Sequence, residues 1–277
     1  MKLASHILLQ IAKRIPRGYW RVLKFAAERD SSLQDISISL KSISISLRGD
    51  LRESVFATLY RTGTIPHQTG FDLLWRRMLQ PDDVVFDIGA NIGYTTALFS
   101  DMVGPHGRVV AVEPSPHTFF LLWRSLSEIH NIELLNVGIS RAAGKLALHV
   151  PKFLDRASFV PITGADELWV DVISLDDLCA SHGHPRFIKV DVEGHEPSVF
   201  EGATAALARE DRPVVVFEAL DRDHLEQCLA LLTERSATGY TYRRIRNDGA
   251  LVPLSEAGSS DYVALPSWAE QRGINLT

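Results

Sequence analysis

The stretch Val84-Val85-Phe86-Asp87-Ile88-Gly89-Ala90-Asn91-Ile92-Gly93 limits the fold of this 277-residue chain more than any other. An apolar run breaks there into a glycine-bearing turn, a helix-compatible segment follows, and a second apolar run, Val109-Val110-Ala111-Val112, ends in Glu113-Pro114. A strand, a tight turn, a helix and a second strand closed by a carboxylate form the βαβ unit with which open α/β sheets hold nucleosides. The pattern points to an adenosine-containing cofactor.

The spacing of the glycines selects among such cofactors. A dinucleotide turn needs Gly-x-Gly-x-x-Gly, so that a helix N-terminus can approach a pyrophosphate. Here the second position holds Asn91, and the turn reads Asp87-x-Gly89-x-Asn91-x-Gly93. Asp87 is expected to face the same pocket and to repel a pyrophosphate at close range. S-adenosylmethionine fits better, because it has positive centres, no phosphate, and two ribose hydroxyls that Glu113 can accept. The rival reading is a strand-turn-helix whose glycines only permit close packing.

Size and charge narrow the setting. A chain of this length with 45% hydrophobic residues can bury a full core, and no apolar run reaches the length of a bilayer span. Cys179 and Cys228 show neither metal spacing nor a paired framework, which suits a reducing compartment, and the cytoplasm is the expected location. The net charge of −5 is unevenly spread. Residues 1–27 hold Lys2, Lys13, Arg14, Arg17, Arg21 and Lys24 with no acid before Glu28, so this segment carries +6 and the remainder −11. One reading lays residues 1–27 on an anionic membrane through Leu8, Leu9, Ile11, Ile15, Trp20 and Leu23. The preferred one docks them as a helix on the core or on a second subunit. The acidic body argues against a nucleic-acid substrate.

After the N-terminal helix, Ile36 to Leu47 alternates apolar and polar residues, with a phase slip that puts a bulge or a break at Lys41-Ser42. Helices are expected over Leu51 to Arg61 and Phe71 to Leu79, around a loop with Pro66, His67 and Gln68. His67 is read either as part of an active-site roof or as plain loop. Beyond Pro81, strands at Val84–Ile88, Val109–Glu113, Ile132–Val137, Phe187–Val192 and Val214–Glu218 alternate with helices at Tyr94–Met102, Pro116–His130, Glu196–Leu207 and His224–Arg235, which predicts a parallel sheet. Gly144–Val150 and Trp169–Ile173 form a β insertion placed to build a substrate wall. Tyr240–Ile245 and Tyr262–Leu265 predict an antiparallel terminal hairpin. The expected architecture is α/β: a Rossmann-like sandwich on a seven-stranded, mostly parallel sheet. Its domains are an N-terminal helix and strand extension, 1–80, which would serve as lid or dimer arm, and a cofactor-binding domain, 81–277.

A set of ordered motifs makes the resemblance specific. Asp87-Ile88-Gly89-Ala90-Asn91-Ile92-Gly93, Glu113-Pro114-Ser115-Pro116, Asn136-Val137-Gly138, Ser174-Leu175-Asp176-Asp177-Leu178 and Phe187-Ile188-Lys189-Val190-Asp191-Val192-Glu193-Gly194-His195-Glu196 together resemble the FkbM family of S-adenosylmethionine-dependent methyltransferases, over roughly Pro81 to Leu220. The resemblance implies methyl transfer to a hydroxyl of a sugar, glycan or natural-product scaffold, with S-adenosylhomocysteine as product. It also implies that Asp87, Gly89, Asn91 and Gly93 contact the methionine half of the cofactor, Glu113 and Pro114 the ribose side, and Asn136, Val137 and Gly138 the adenine. Gly138 departs from the family's frequent Ala, which predicts a looser adenine floor.

Methyl transfer from a sulfonium is an in-line displacement, so the protein must align the reactants and remove the hydroxyl proton. Asp191 and Glu193, two residues apart, are expected on one face of a strand at its carboxyl end, with Glu218 closing the adjacent strand. One of these carboxylates would act as general base. A divalent metal held by the three is the less favoured alternative, since no histidine-rich set completes a site. His195 is a further candidate base ranked below Asp191 and Glu193, because a helix N-terminus disfavours its cation. Glu196 reads as a helix-start residue, and Thr95 either reaches the cofactor or caps the turn. Two rivals remain: a nicotinamide oxidoreductase, disfavoured by Asn91, and a methyltransferase-like fold kept as a binding subunit.

Overall fold

The computed structural model describes residues 2–40, 43–65, 70–151 and 157–271. The positively charged N-terminal segment forms two helices, α1 (Leu3–Arg14) and α2 (Tyr19–Arg29), rather than one. Pro16 and Gly18 separate them, since proline lacks the N–H a continuing helix would use. Leu9 and Leu23 turn inward and are fully or nearly fully buried, whereas Leu3, Ile7 and Ile11 remain exposed along the outer side of α1. Two short strands follow, β1 (Ile36–Ser39) and β2 (Ser46–Gly49), paired antiparallel. The phase slip is thus a break between strands, although Lys41 and Ser42 lie outside the described residues. So do Pro66, His67 and Gln68. Helices α3 (Ser54–Thr62) and α4 (Phe71–Met78) complete the extension.

This extension shares a core with the rest of the chain. Leu9, Leu23, Leu47, Phe56 and Leu59 form one apolar cluster with Ala97, Leu98, Leu121 and Leu122. Trp75 of α4 packs edge-on against Phe99 and Phe187 at ring separations of 5.8 and 5.6 Å. Such pairs add about 0.5–1.5 kcal/mol each beyond the area they bury.

The main sheet begins with β3 (Val84–Ile88), helix α5 (Tyr94–Val103), β4 (Arg108–Val112), α6 (Pro116–Leu126) and β5 (Ile132–Leu135). The chain then leaves this sheet for a second, three-stranded one: β6 (Gly138–Ser140), β7 (Gly144–Val150) and β8 (Asp166–Ser174). It returns through α7 (Leu175–His182), β9 (Phe187–Val190), α8 (Glu196–Glu201), α9 (Thr204–Ala208), β10 (Val214–Glu218) and α10 (Arg222–Arg235). It finishes with β11 (Thr241–Ile245), β12 (Leu251–Val252), β13 (Asp261–Leu265) and α11 (Ser267–Gln271). Strand order in the main sheet is β12-β11-β13-β10-β9-β3-β4-β5. The five strands β5, β4, β3, β9 and β10 are parallel, and β13 inserts antiparallel between β10 and β11. The expected seven strands are present, and the two-residue β12 adds an eighth at the edge. Helices cover both faces, which is why Val85, Phe86, Val109, Val110, Ile188 and Val215 are all fully buried or nearly so.

Several sequence-based boundaries move for identifiable reasons. The third strand stops at Leu135 because the Asn136 side-chain amide donates to the carbonyls of Glu113 (2.8 Å) and Pro114 (3.1 Å), which turns the chain toward the second sheet. Helix α7, which the strand-helix alternation overlooks, starts with a reciprocal capping box between Ser174 and Asp177. The helix expected over Glu196–Leu207 is two helices, because the Asp176 carboxylate accepts the amides of Ala205 and Ala206, both at 2.8 Å, and so starts a new helix there. Among the described residues, no helix is long and apolar enough to cross a membrane.

Candidate active site

The site forms where the carboxyl ends of the adjacent parallel strands β3 and β9 meet, the place where open α/β sheets bind ligands. Asp87 pairs in register with Lys189, and Ile88 with Val190. Beyond the strand ends, the Asp191 amide donates to the Ile88 carbonyl (3.0 Å). Gly89, at φ +81°, lies so close to the Asp191 carbonyl that any Cβ would collide with it. Both the left-handed backbone and the contact require glycine at this position.

Asp87 does not face the cavity as its spacing predicts. It is fully buried beneath the turn, where its Oδ2 accepts the Thr96 hydroxyl (2.6 Å). Its Oδ1 has no hydrogen bond and lies 3.9 Å from the Lys189 ammonium. Burial pushes the Asp87 carboxyl up, against the opposing pull of Lys189 and Thr96. The neighbouring Thr95 lines the larger of two cavities, so the hydroxyl that touches Asp87 belongs to Thr96. Gly93 provides the N-cap of α5, at φ 90°.

Glu113 lies just past the end of β4 and is 7% exposed. Its Oε2 accepts the Asn91 amide (3.0 Å) and its Oε1 the Ser115 amide (2.9 Å). Burial pushes its carboxyl up to about 7, while those two amides pull the other way. With Pro114, Thr118, Ile139, Leu148 and Phe159, it lines a narrow cavity of about 80 Å³. Gly138 belongs to the same wall, but the space above it is taken: a Cβ there would meet the Phe159 ring at 2.5 Å. The floor is therefore closed by Phe159 instead of being loosened. Asn136 is exposed and Val137 packs into the apolar core, so neither side chain lines a cavity.

A second cavity of about 690 Å³ adjoins the first, and Gly89, Asn91, Asp191 and Glu193 line both. Its far wall comes from the extension, with Tyr19, Ser54 and Thr58, and from the C-terminal strands and the loops between them, with Asn247, Ser259, Ser260 and Asp261. The Tyr19 and Thr58 hydroxyls are 2.8 Å apart.

Asp191, Glu193 and Glu218 do converge, but not by strand periodicity. Strand β9 ends at Val190, and Glu193 adopts the left-handed φ of 52°. Glu196 makes this turn: its carboxylate accepts the amides of Val192 (2.9 Å) and Gly194 (3.0 Å) and is fully buried. The Ser158 hydroxyl donates to the Glu193 carbonyl (2.7 Å). A non-glycine residue held in this region by its surroundings is typical of functional sites. His195 is turned away, with its Nε2 3.0 Å from Ser140 Oγ and its ring against Phe159, and it lines neither cavity. Burial, then Arg141, pushes its pKa down to about 4.

Two residues of the site were not singled out by the sequence, although Lys189 lies within one of the quoted motifs. The Lys189 ammonium, 7% exposed, lies 2.9 Å from Asp191 Oδ2. Burial alone would lower its pKa, but Asp191 and Asp87 outweigh burial and raise it, so it stays charged. A lysine inside the apolar strand Phe187-Ile188-Lys189-Val190 is the signal that could have found it. Asp261 sits opposite Glu218 in the β10–β13 register, and burial, then Asp191 and Glu218, push it up to about 7. Asp191, Glu193 and Glu218 each offer a carboxylate oxygen within 4.8 Å of the others, a spacing a divalent cation could use. The Lys189 ammonium lies 2.9 Å from Asp191 of this set.

The methyltransferase FkbM domain is matched over residues 87–243, more than half of the chain. The hexuronic acid methyltransferase AglP of Haloferax volcanii is 31% identical over 131 residues, which are 46% of this chain and 53% of that protein. The protein-L-isoaspartate O-methyltransferase of Triticum aestivum is 34% identical over 84 residues, which are 30% of this chain and 34% of that protein. The chain thus spans about half the length of the first of these curated relatives and about a third of the second. Among solved structures, the precorrin-6y C5,15-methyltransferase of Geobacter metallireducens GS-15 is 20% identical, with 72% of this chain and 88% of that chain covered at a TM-score of 0.42. By the extent of the domain match, this chain belongs to the FkbM methyltransferase family.

Proposed function

We propose that this protein is an S-adenosylmethionine-dependent O-methyltransferase acting on a hydroxyl of a sugar, glycan or natural-product scaffold. One observation carries the reading: a carboxylate-headed nucleoside cavity and a larger polar cavity meet at Gly89, Asn91, Asp191 and Glu193. A cofactor whose adenosine lies along Glu113 would present its sulfonium at that junction, toward an acceptor in the larger cavity. Glu113 has lone pairs left beyond those used by the Asn91 and Ser115 amides, and ribose hydroxyls can donate to them. Three carboxylates at the junction and the nucleoside cavity, Glu113, Asp191 and Glu193, would repel a pyrophosphate, so the disfavour for a dinucleotide does not depend on Asp87. The hexuronic acid methyltransferase among the relatives supports a sugar as acceptor.

The cofactor supplies the electrophilic methyl group; the protein supplies position and a proton acceptor. Asp191 is fixed by Lys189 and acts as a positioning residue. We assign the hydroxyl proton to Glu193, which lines both cavities and is held by the turn that Glu196 organises. At 80 Å³ the first cavity is narrower than a nucleoside needs, so the wall that Phe159 forms must move outward on binding. The test is calorimetric titration with S-adenosylhomocysteine and separately with NAD⁺, repeated for Glu113→Ala. Binding of the homocysteine compound alone, weakened by the substitution, supports the reading. Binding of NAD⁺ or of neither ligand refutes it.

A further inference from the structure

The N-terminal extension keeps an outer surface that the fold does not cover. Its inner side is docked, with Leu9 and Ala12 of α1 and Leu23 and Ala26 of α2 in the shared core. The outer side of α1 carries Leu3, Ile7 and Ile11, whose spacing of four residues puts them in one stripe, and they are 79%, 53% and 44% exposed. With Phe25 of α2 they make up four of the eleven large apolar side chains that stay exposed among the described residues. Single exposed apolar residues are ordinary, but a stripe of them marks a contact surface.

The charge beside the stripe selects what covers it. Arg14 in the last turn of α1, Arg17 in the turn that follows and Arg21 in α2 are all exposed. Lys13 lies over the Tyr60 ring and Lys2 donates to the Arg29 carbonyl, contacts that leave both charges in place. Acids of the extension have other partners: Asp35 has Arg48 and Arg124, Asp50 has Arg52, and Glu53 has His117. Asp30 accepts the Lys2 amide, at the end of α1 remote from Arg14. A two-fold dimer through this stripe would set the basic segment of one copy against that of the other. A nucleic acid would use the arginines and leave the aliphatic stripe without a partner. An anionic bilayer uses both, since its headgroups attract guanidinium groups and its acyl boundary takes up leucine and isoleucine.

From this we infer that α1 is an interfacial helix that docks the protein on an anionic lipid membrane, with Leu3, Ile7 and Ile11 in the acyl boundary and Arg14, Arg17 and Arg21 among the headgroups. One short helix of this kind gives reversible attachment. Tyr19, the first residue of α2, lines the larger cavity, so the docked segment adjoins that cavity. The contact is independent of what the cavity binds.

The test is flotation of the full chain with lipid vesicles at low ionic strength. The protein should float with phosphatidylcholine vesicles that contain about 30% phosphatidylglycerol, not with phosphatidylcholine alone, and high salt should weaken the binding. Each basic residue near an anionic surface contributes about fivefold in affinity, so Arg14→Gln/Arg17→Gln/Arg21→Gln should weaken partition by at least about tenfold. Leu3→Ser/Ile7→Ser/Ile11→Ser should weaken it by at least about tenfold as well. All six side chains are exposed, and thermal unfolding checks that each variant is folded; should a triple variant unfold, Arg17→Gln and Ile7→Ser carry the comparison. Failure of the wild type to float with the anionic vesicles overturns the inference, and so does equal flotation with both kinds of vesicle. Flotation that the apolar substitutions leave unchanged overturns it too, because the attraction would then be electrostatic alone. A dimer seen by light scattering, dissolved by the apolar substitutions and unaccompanied by flotation, would assign the stripe to a second copy and overturn it.

Discussion

Replacing Glu113 by Gln should change the pH dependence of stability in a way that reports its burial. Its two oxygens accept the amides of Asn91 and Ser115, and burial raises its carboxyl from an ordinary 4.5 to about 7. A carboxyl raised in the folded state favours folding when protonated, so its contribution is complete below pH 4.5 and is lost as pH rises through 7. That displacement corresponds to about 3 kcal/mol, most of it lost between pH 5 and pH 8. Glutamine cannot titrate. It also turns an NH₂ toward one of the two amide donors, a fixed cost of about 1–3 kcal/mol at every pH. The unfolding free energy of the wild type minus that of Glu113→Gln, read by urea titration, should therefore fall by about 2–3 kcal/mol from pH 5 to pH 8, passing through zero where the fixed cost is smaller than that. Asp261 also titrates near 7, but it is present in both proteins and largely cancels in the difference. A difference that stays constant with pH would refute the argument. Ribose hydroxyls donating to Glu113 favour its ionised form, so affinity for S-adenosylhomocysteine should fall below pH 7 in the wild type and show little of that fall in Glu113→Gln.

Other substitutions test the remaining parts of the site. Gly89→Ala forces a left-handed alanine against the Asp191 carbonyl, and should cost more than about 1 kcal/mol of stability and abolish cofactor binding, read by thermal unfolding and calorimetry. Lys189→Met leaves Asp191 and the buried Asp87 without their cation, a loss of about 3–5 kcal/mol measurable by denaturant titration; a loss within about 0.5 kcal/mol would show that the pair is not needed. Glu193→Gln should lower the turnover of a methylated acceptor by about 10²–10⁴-fold while leaving calorimetric S-adenosylhomocysteine affinity unchanged, and unaltered turnover would remove Glu193 as the proton acceptor.

How far the sequence foretold this arrangement depends on whether a feature is local. Strands β3 and β10 coincide with the apolar runs Val84–Ile88 and Val214–Glu218, because a strand buried on both faces reads as a continuous hydrophobic run. The turn from Gly89 to Gly93 and the carboxylate of Glu113 were equally legible, since backbone geometry demands them. The orientation of Asp87 was not: spacing places it at the turn, but only the packing of Lys189 and Thr96 around it shows that it points inward. Asp191 and Glu193 were expected on one strand face, and they converge through a left-handed turn that Glu196 imposes from four residues beyond Val192. Tyr19, Thr58 and Asp261 reach the larger cavity from segments far apart in the chain, and their placement follows from tertiary packing that no local pattern encodes.

The most direct test of the account is a crystal structure of the protein with S-adenosylhomocysteine. The account predicts ribose hydroxyls on Glu113, adenine beside Gly138 with Phe159 displaced, and the sulfur at the Gly89–Asp191 junction facing Glu193. Adenosine bound elsewhere, or a ribose turned away from Glu113, would contradict it.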